Sequence, residues 1–559
     1  MKKKRLPIGQ SDFGKLINGD FYYVDKSAFI RDVIEASAEV MLLPRPRRFG
    51  KTLNLSMLRF FFEKGIEGAK NLFQGLAIEK EDCFEIHQGE YPVIFMTFKD
   101  VKEPSWDICL KKLSYMVRKL YRENITLKNL PDNVDEIFIR RILEGEADQA
   151  EYEDSLKYLC EVLHLSCKKP VVLLIDEYDT PLHAGYHEGY YGEVIAFMRN
   201  FLSGGLKDNP HLFRGVLTGI LRVAKESIFS GLNNLGVYTI LDEKYSESFG
   251  FTESETRALL ESYHMADRYE DVSNWYNGYR IGETVIYNPW SLLNYIDNNG
   301  KAKPYWLNTG DMSMINSLAT CGGREIREEI GKLLESRSVP LPVYETIVLR
   351  DLDRQDDLIW SFLLFSGYLK PVRQVDDETW ELSIPNREVR MAYRNLIKTW
   401  FSTKVKRNQL EEMVKGLETG DVDLFERLLR KVVIQIMSYH DFGDEPEKVY
   451  HALVLGMLVW MSGRYDIRSN RESGYGRYDI MLKPRDGKGI GIVIEFKLVK
   501  KSGGNAHEAV LAGALKQIED RGYAAELAAA GIADILEIAA AFRGKELWVK
   551  HKRRMVGYE

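Results

Sequence analysis

The sequence has little of what marks secreted or membrane-spanning proteins. It has five cysteines in 559 residues, widely spread and without a C-x-x-C pair, which argues against a disulfide scaffold and favours a reducing cytoplasm. The basic start Met1–Arg5 is not followed by an apolar segment, so we expect no secretory signal. The most apolar long stretch, Ala524 to Phe542, contains three acidic residues and falls short of the roughly 20 apolar residues of a spanning helix. We therefore expect no membrane partner.

An excess of positive charge is also lacking. Lys and Arg total 77 against 83 Asp and Glu, a formal net charge of −6, so any nucleic-acid surface must be local. Several catalytic patterns are absent as well: the G-x-S-x-G elbow, the H-E-x-x-H zinc helix and a dinucleotide-binding G-x-G-x-x-G after a strand. The composition, 45% hydrophobic and 29% charged, is that of a chain that folds throughout.

The first 250 residues alternate apolar β-branched runs with amphipathic stretches, which predicts an α/β domain of βαβ units with a mostly parallel sheet over residues 1–250. Apolar runs of this kind are typical of strands buried on both faces. The predicted strands are Val40 to Leu43, Val93 to Phe98, Val171 to Ile175 and Gly215 to Thr218, and the clearest helices are Thr52 to Lys64 and Trp106 to Arg122.

Two further modules are predicted after this domain. Residues 251–440 have a mainly helical pattern with aromatic-rich turns, and the polar Asp441 to Pro446 is typical of a linker. Residues 441–559 predict a compact α-β-β-β-α-β domain. Its elements are a helix over Glu447 to Trp460, strands over Tyr465 to Arg468, Tyr478 to Leu482 and Ile490 to Phe496, a helix through Gln517, and strands near Ile535 and Leu547.

A phosphate-binding loop is predicted where the first strand meets the first long helix. Gly50-Lys51-Thr52 follows the strand and opens the helix, so backbone amides and Lys51 can hold phosphate while the Thr52 hydroxyl binds Mg²⁺. The first glycine of G-x-x-x-x-G-K-[ST] is replaced by Arg45, so the motif is incomplete.

A second signal lies at the end of the third predicted strand. Asp176 is placed to support Mg²⁺ and Glu177 to orient or deprotonate an attacking water. The fourth strand ends at Thr218, followed by Arg222 and Lys225, which can stabilise γ-phosphate charge or be ordinary surface cations.

Other residues near the loop leave two interpretations open. Arg45, Arg47 and Arg48 can bind phosphate of this or a neighbouring subunit, with Arg48 favoured, or form a solvated loop. His183 and His187 have the spacing of helical metal ligands, but Pro181 and Gly185 predict a loop and a structural role. The aromatic cluster can stack bases or, as we favour, pack the turns of the helical module. Its members are Trp275, Tyr279, Trp290, Tyr305 and Trp306.

These motifs resemble those of the bacterial and archaeal AAA-ATPase-like family. The segments that carry the resemblance are Ile8-Gly9 with Asp12-Phe13, Tyr23 to Lys26, Arg45 to Thr52, Leu174 to Asp179, Leu217 to Gly219 and Ile228 to Asn234. The family tends to carry Arg-Pro-Arg-Arg before the glycine, so Arg45 fits its pattern. The resemblance implies that residues 1–250 form a P-loop NTPase domain, and it implies ATP binding more strongly than hydrolysis. It also implies a C-terminal PD-(D/E)XK nuclease-like module.

The residues of the C-terminal module support that implication. Asp479 and Glu495 lie on two strands joined by a turn-like segment, and alternation places Lys497 on the face of Glu495. Two carboxylates can hold Mg²⁺, and an ammonium beside them can position a water for attack on a phosphodiester. Glu447 can add a third carboxylate. With Gln517 and Tyr523 downstream, the arrangement resembles the PD-(D/E)XK nuclease superfamily core.

Cations are concentrated near the C-terminus and can meet nucleic-acid phosphates or form an ordinary solvated rim. They are Lys497, Lys500, Lys501, Lys516, Arg521, Lys550, Lys552, Arg553 and Arg554. The leading hypothesis is a cytoplasmic protein whose ATP site controls a Mg²⁺-dependent nuclease acting on DNA or RNA. The alternative is a nucleotide-gated switch or scaffold that binds nucleic acid or protein without cutting. The sequence leaves the oligomeric state open and is compatible with a homo-oligomer.

Overall fold

The computed structural model divides into two compact units. Unit 1 comprises Met1–Asp311 and Pro340–Val389, and unit 2 comprises Met312–Val339 and Arg390–Glu559. The structure describes residues 3–127, 130–131, 133–222, 234–307, 324–334, 338–346, 349, 357–404, 407–436, 450, 454, 456–458, 461, 463–469, 472–473, 476–499 and 506–555. Within these ranges, no helix is long and apolar enough to cross a bilayer.

A five-stranded parallel sheet forms the centre of the N-terminal part of unit 1. Its strands are β1 (Val40–Pro44), β2 (Val93–Thr97), β3 (Val171–Asp176), β4 (Leu212–Gly219) and β5 (Leu235–Val237). They lie in the order β2-β3-β4-β1-β5, and β1 and β3 are buried along their whole length. The predicted fold class is therefore confirmed. The short β5 was not predicted, because three half-buried residues give no apolar run.

Helices accompany this sheet. They are α1 (Phe13–Asn18), α2 (Ala28–Ile34), α3 (Lys51–Phe62), α4 (Cys83–His87), α5 (Trp106–Asn124), α6 (Glu136–Glu144), α7 (Gln149–Cys167), α8 (Thr180–Glu188) and α9 (Tyr191–Leu206). Asp148 begins α7 with a capping box, which satisfies amides that the helix leaves unpaired.

The prediction of a loop around His183 and His187 is wrong, because both residues lie in α8. Pro181 occupies the first turn, where its missing N–H costs nothing. Gly185 is required by packing, since a Cβ there would lie 2.5 Å from Val194 Cγ1 in α9. His183 pairs with Asp179 and His187 with Glu188, which fits a structural role.

The middle of the chain is helical, as predicted, but it also contains two small sheets. Its helices are α10 (Glu253–Ser262), α11 (Tyr269–Tyr276), α12 (Pro289–Asp297), Arg324–Leu334, Leu358–Phe365, Arg387–Lys404, Arg407–Thr419 and Val422–Ile436. The hairpin of β6 (Tyr279–Ile281) and β7 (Thr284–Ile286) forms one sheet. The other has the order β8-β10-β9, formed by β8 (Val339–Pro342), β9 (Lys370–Gln374) and β10 (Thr379–Ser383).

The C-terminal part of unit 2 contains a five-stranded mixed sheet in the order β11-β14-β15-β16-β17. Its strands are β11 (Tyr465–Ser469), β14 (Ile480–Pro484), β15 (Gly491–Leu498), β16 (Asp534–Arg543) and β17 (Glu546–Met555). Among the described strand pairs of this sheet, β15–β16 is parallel and the other three are antiparallel. A small ladder joins β12 (Glu472–Ser473) to β13 (Gly476–Arg477), and helices Ala506–Asp520 and Ala525–Ala529 follow β15. The predicted helix over Glu447 to Trp460 and the linker before it lie mostly or wholly outside the described residues.

Candidate nucleotide and metal sites

The predicted phosphate loop connects β1 to α3. Gly50 immediately precedes the helix at φ 88°, and Arg48 also adopts a left-handed conformation, at φ 67°. Lys51 and Thr52 lie in the first turn of α3, where unpaired amides and the helix dipole favour an anion. The local backbone therefore has the strand, loop and helix order of a phosphate site.

Arg45, at the position of the missing glycine, is a buried anchor of this loop. Its side chain is 0% exposed and donates to the carbonyls of Pro44 at 2.9 Å, Tyr238 at 2.7 Å and Tyr245 at 3.5 Å. Burial lowers the pKa of Arg45 to about 10. A guanidinium that bonds three carbonyls holds the base of the loop in place, so a phosphate-binding role for Arg45 is not favoured.

Lys51 is buried at the centre of the loop. Its ammonium donates to the carbonyls of Arg45 at 2.8 Å and Pro46 at 3.0 Å. Burial lowers the pKa of Lys51, while the charges of Glu177, Asp176 and Asp179 oppose that shift. An ammonium with little solvent around it interacts strongly with a phosphate, because the local dielectric is low.

Asp176 joins the phosphate loop to the neighbouring strand. Its carboxylate is 1% exposed, and it accepts hydrogen bonds from Thr52 Oγ1 at 2.7 Å and Thr218 Oγ1 at 2.6 Å. A carboxylate and hydroxyls form the hard oxygen set that Mg²⁺ prefers. The residues present therefore fit a magnesium ion held by Thr52 and Asp176.

Glu177, the predicted base, follows Asp176 in an unusual backbone conformation. Its φ is 52°, and the Thr180 hydroxyl donates to its carboxylate at 3.3 Å. A non-glycine residue in the left-handed region costs of order 1–3 kcal/mol, and such residues concentrate at functional sites. The Glu177 side chain is half-buried, and its charge acts on Lys51 of the loop.

Asp179 and Tyr178 hold the end of β4 against the end of β3. Asp179 Oδ2 accepts the amides of Ile220 at 2.8 Å and Leu221 at 3.0 Å, and the Tyr178 hydroxyl donates to the Leu221 carbonyl at 2.7 Å. Burial alone would raise the pKa of Asp179, but hydrogen bonds from His183 and these amides lower it. Asp179 was not predicted as a site residue, although it lies in the motif that contains Asp176.

Two other predicted cations of this site, Arg48 and Arg222, have partners. The exposed Arg48 lies over the Trp290 ring, 4.5 Å from its centroid, and Arg222 is 3.8 Å from Glu345. Lys225 lies outside the described residues.

Two members of the predicted aromatic cluster are packed. Trp306 and Tyr279 are each 4% exposed, so neither ring is available to stack a base.

The second site lies in the C-terminal sheet. Asp479 precedes β14, and its Oδ2 accepts the amide of Phe496 in β15 at 2.7 Å. Glu495 is 2% exposed, and its Oε1 accepts Lys497 Nζ and Gln517 Nε2, each at 2.7 Å. Strand pairing thus brings Asp479, Glu495 and Lys497 together, and the helix Ala506–Asp520 contributes Gln517.

Glu495 has the properties of a metal ligand. Among the described residues, its buried Oε2 has no hydrogen-bond partner, which is costly unless a cation or water satisfies it. Burial and the nearby charge of Asp479 raise the pKa of Glu495 to about 7, and Lys497 opposes the shift. The residues fit a divalent cation held by Asp479 and Glu495.

The described part of the C-terminal site supplies two carboxylates rather than three. Glu447 lies outside the described residues, and within those residues no group of three or more His, Cys, Asp or Glu could hold a metal. Mg²⁺ commonly keeps several waters, so two carboxylates are a workable set. Gln517 also donates to the Tyr523 hydroxyl at 3.2 Å, which links both predicted flanking residues to Glu495.

Three cations for which the sequence leaves a phosphate contact or a solvated rim open are paired with acids. Lys552 pairs with Glu519 at 3.0 Å, Arg553 with Asp534 at 2.6 Å and Arg554 with Glu537 at 2.5 Å. The partners lie on the neighbouring strand or on the helix before it, so the positive charge of β17 is largely balanced. For Lys552, Arg553 and Arg554 the structure favours a solvated rim of ion pairs over a phosphate-binding surface.

Comparison with known proteins agrees with this architecture. Residues 7–229 match the family model described as predicted AAA-ATPase, and residues 445–552 match that of the PD-(D/E)XK nuclease superfamily. The chain is also 27% identical, over 549 residues and 95% of each sequence, to an uncharacterized protein in the vnfD 5' region of Azotobacter chroococcum mcd 1. The chain therefore carries, in this order, a region similar to the AAA-ATPase-like family and a region similar to the PD-(D/E)XK nuclease superfamily.

Proposed function

We propose that this protein binds and hydrolyses ATP with Mg²⁺ in its N-terminal domain, and that its C-terminal domain is a metal-dependent nuclease controlled by the nucleotide. The substrate is a phosphodiester bond of DNA or RNA. The observation that carries the proposal is the buried carboxylate of Glu495, which lies beside Asp479 with one oxygen bonded to Lys497 and Gln517 and the other unpaired among the described residues.

Each side chain of the nucleotide site has its own role. The α3 amides and Lys51 hold the phosphates, Thr52 and Asp176 hold Mg²⁺, and Glu177 accepts a proton from the attacking water. Thr218 fixes the Asp176 carboxylate through its second oxygen. Arg48 lies in the loop and Arg222 follows the end of β4, so both supply positive charge near the developing phosphate charge.

In the nuclease site, Asp479 and Glu495 hold the metal and Lys497 positions the water. When bound, a divalent cation polarises the phosphodiester and lowers the pKa of a water molecule. Lys497 and Gln517 both donate to Glu495 Oε1, which leaves Oε2 for the metal. Gln517 thereby orients the carboxylate.

Nucleotide binding is tested by isothermal titration of the full chain with a slowly hydrolysed ATP analogue and Mg²⁺. Lys51→Ala removes a charged contact to phosphate and should weaken binding by tenfold or more. Lys111→Ala, an exposed lysine of α5, is the matched control and should bind like the wild type. Equal affinities for all three proteins would contradict the nucleotide site.

Nuclease activity is tested with single- and double-stranded DNA and RNA in the presence of Mg²⁺ or Mn²⁺. Glu495→Gln should abolish cleavage, because a neutral amide is a poor ligand for the cation. Glu508→Gln, at an exposed position in the first turn of the helix Ala506–Asp520, is the matched control. Equal cleavage by Glu495→Gln and Glu508→Gln would contradict the assignment of Glu495 to the nuclease site.

A switch that binds without cutting is the second candidate. The ion pairs of Lys552, Arg553 and Arg554 favour it, since they remove cations that a nuclease could use to hold its substrate. ATP binding without cleavage on any substrate would support this candidate. For either function we expect a cytoplasmic location, since Cys83, Cys109, Cys160 and Cys167 are free thiols.

A further inference from the structure

A tryptophan far along the chain bonds to the backbone of the phosphate loop. Trp306 Nε1 donates to the carbonyl of Arg47 at 3.1 Å. The Trp306 side chain is buried, and its ring lies 4.9 Å from that of Tyr368 and 6.2 Å from that of Tyr279. The indole is therefore held in place and fixes the direction of this carbonyl.

The direction of the Arg47 carbonyl determines the direction of the next amide. A peptide group is planar and trans, so its C=O and N–H point to opposite sides. The Trp306 bond therefore turns the N–H of Arg48 away from the tryptophan side of the loop. Arg48 has φ 67°, an unfavourable conformation for arginine that persists only when surrounding contacts impose it.

One buried carboxylate organises these contacts. Glu388 is 0% exposed, and its Oε1 accepts the backbone amide of Trp306 at 2.6 Å. Its Oε2 accepts the hydroxyl of Ser291 at 2.7 Å. Ser291 follows Trp290, whose ring lies under the guanidinium of Arg48. Glu388 thus connects the two tryptophans that contact the loop at successive residues.

The next loop residue is held from the same side. Phe49 is 1% exposed, its ring lies edge-on to Tyr279 at 5.0 Å, and its carbonyl accepts the amide of Gly250 at 3.0 Å. Three consecutive loop residues are therefore positioned by the segment after the parallel sheet. In a loop that has Arg45 in place of the first glycine, these outside contacts impose the shape.

We propose that Glu388 is a positioning residue for the nucleotide site: through Trp306 and Ser291 it holds the peptide between Arg47 and Arg48 so that the Arg48 amide is directed at phosphate. The inference rests on the proposed binding of ATP and extends it to residues that no sequence motif marks. Glu388 acts through its partners and does not itself touch the nucleotide.

The test compares nucleotide affinity and thermal stability in the full chain. Trp306→Phe keeps a ring but removes the donor to Arg47, and should weaken binding of the magnesium complex of the ATP analogue about fivefold. Trp275→Phe, a half-buried tryptophan packed beside Tyr276, is the control and should bind like the wild type. A merely structural Trp306 would lower the melting temperature and leave the affinity of the folded protein unchanged.

Substitution of Glu388 supplies a rescue test. Glu388→Gln can still accept from the Trp306 amide and bond to Ser291, so its affinity should stay within about twofold of the wild type. Glu388→Leu loses both bonds and should weaken binding about tenfold. If Glu388→Leu does not fold, the Trp306→Phe result decides.

The outcomes separate the two claims. If the wild type does not bind the analogue, the proposed function is overturned and this inference with it. If the wild type binds, Lys51→Ala does not, and Trp306→Phe binds like the wild type, the proposed function stands and the inference is overturned. Weakened binding by Trp306→Phe and Glu388→Leu, with Glu388→Gln close to the wild type, supports the inference.

Discussion

The hydroxyl of Thr218 donates to Asp176 Oδ1 at 2.6 Å and joins the ends of two adjacent strands. Asp176 ends β3 and Thr218 lies near the end of β4, so the bond holds the carboxylate in a fixed orientation. Its other oxygen accepts the Thr52 hydroxyl at the start of α3. The Asp176 carboxylate therefore links three segments of the proposed nucleotide site: the end of β3, the end of β4 and the start of α3.

Thr218→Val should reduce ATP turnover more than ATP affinity. Valine keeps the shape but removes the donor to Asp176, so the carboxylate loses orientation while Lys51 still holds phosphate. We expect about a tenfold fall in turnover, corresponding to about 1.4 kcal/mol. Thr256→Val is the control, because the buried Thr256 hydroxyl has no hydrogen-bond partner among the described residues. Equal turnover by the two variants would argue against this role of Thr218.

Gly219→Ala should destabilise the nucleotide domain. A Cβ at Gly219 would lie 2.7 Å from Tyr178 Cε1 and 2.8 Å from Asp179 Oδ1, so the contact between the end of β4 and the segment after β3 must open. We expect a loss of about 2 kcal/mol of unfolding free energy. Gly192→Ala, where a Cβ meets nothing within 4 Å, is the control, and calorimetry of both variants is the measurement. A Gly219→Ala protein as stable as the control would contradict the packing described.

Gln517→Leu should shift the midpoint of the pH dependence of metal binding to a higher pH. The amide donates to Glu495 Oε1 and favours the ionised carboxylate, whose pKa burial already raises to about 7. A cation binds the ionised form, so Mn²⁺ affinity should rise as the pH rises through about 7 in the wild type and at a higher pH in the variant. Titration of Mn²⁺ between pH 6 and 9 measures both midpoints. The exposed Gln149→Leu is the control, and coincident midpoints for all three proteins would exclude this role for Gln517.

Glu388 should make stability pH-dependent. Burial raises the pKa of Glu388 from 4.5 to about 7, although bonds from Ser291 and Trp306 oppose the shift. The folded state then binds the proton more tightly than the unfolded state, so this group's contribution to the unfolding free energy falls as the pH rises from about 4.5 to about 7. Glu388→Gln does not titrate. The wild-type melting temperature relative to the variant should therefore decline over that window, and a constant difference would contradict the shift.

Local patterns predicted the strands well because their residues are apolar over whole runs. Val40 to Leu43 and Val171 to Ile175 are buried throughout β1 and β3, as strands covered on both faces must be. Spacing also indicated that Glu495 and Lys497 share a face, because side chains alternate along a strand. Strand burial and side-chain alternation depend on residues that are neighbours in the sequence, so a local pattern is enough to predict them.

Contacts between distant residues could not be predicted. Glu388 bonds to residues 82 and 97 positions away, and Lys552 pairs with an acid 33 positions away. No periodicity encodes such partners, so the sequence leaves Lys552 open between a phosphate contact and a solvated rim and gives no sign of the role of Glu388. The helix α8 was missed for a related reason, because the glycine that suggested a loop is needed for packing against Val194.

The most direct test of the account is cleavage of single- and double-stranded DNA and RNA by the full-length protein with Mg²⁺ or Mn²⁺, with and without ATP. Lys51→Ala and Glu495→Gln are measured beside the wild type. We predict cleavage that requires Glu495 and that changes with ATP in the wild type but not in Lys51→Ala. Absence of cleavage under every condition, by a protein that still binds ATP, would contradict the nuclease and leave the nucleotide-gated switch.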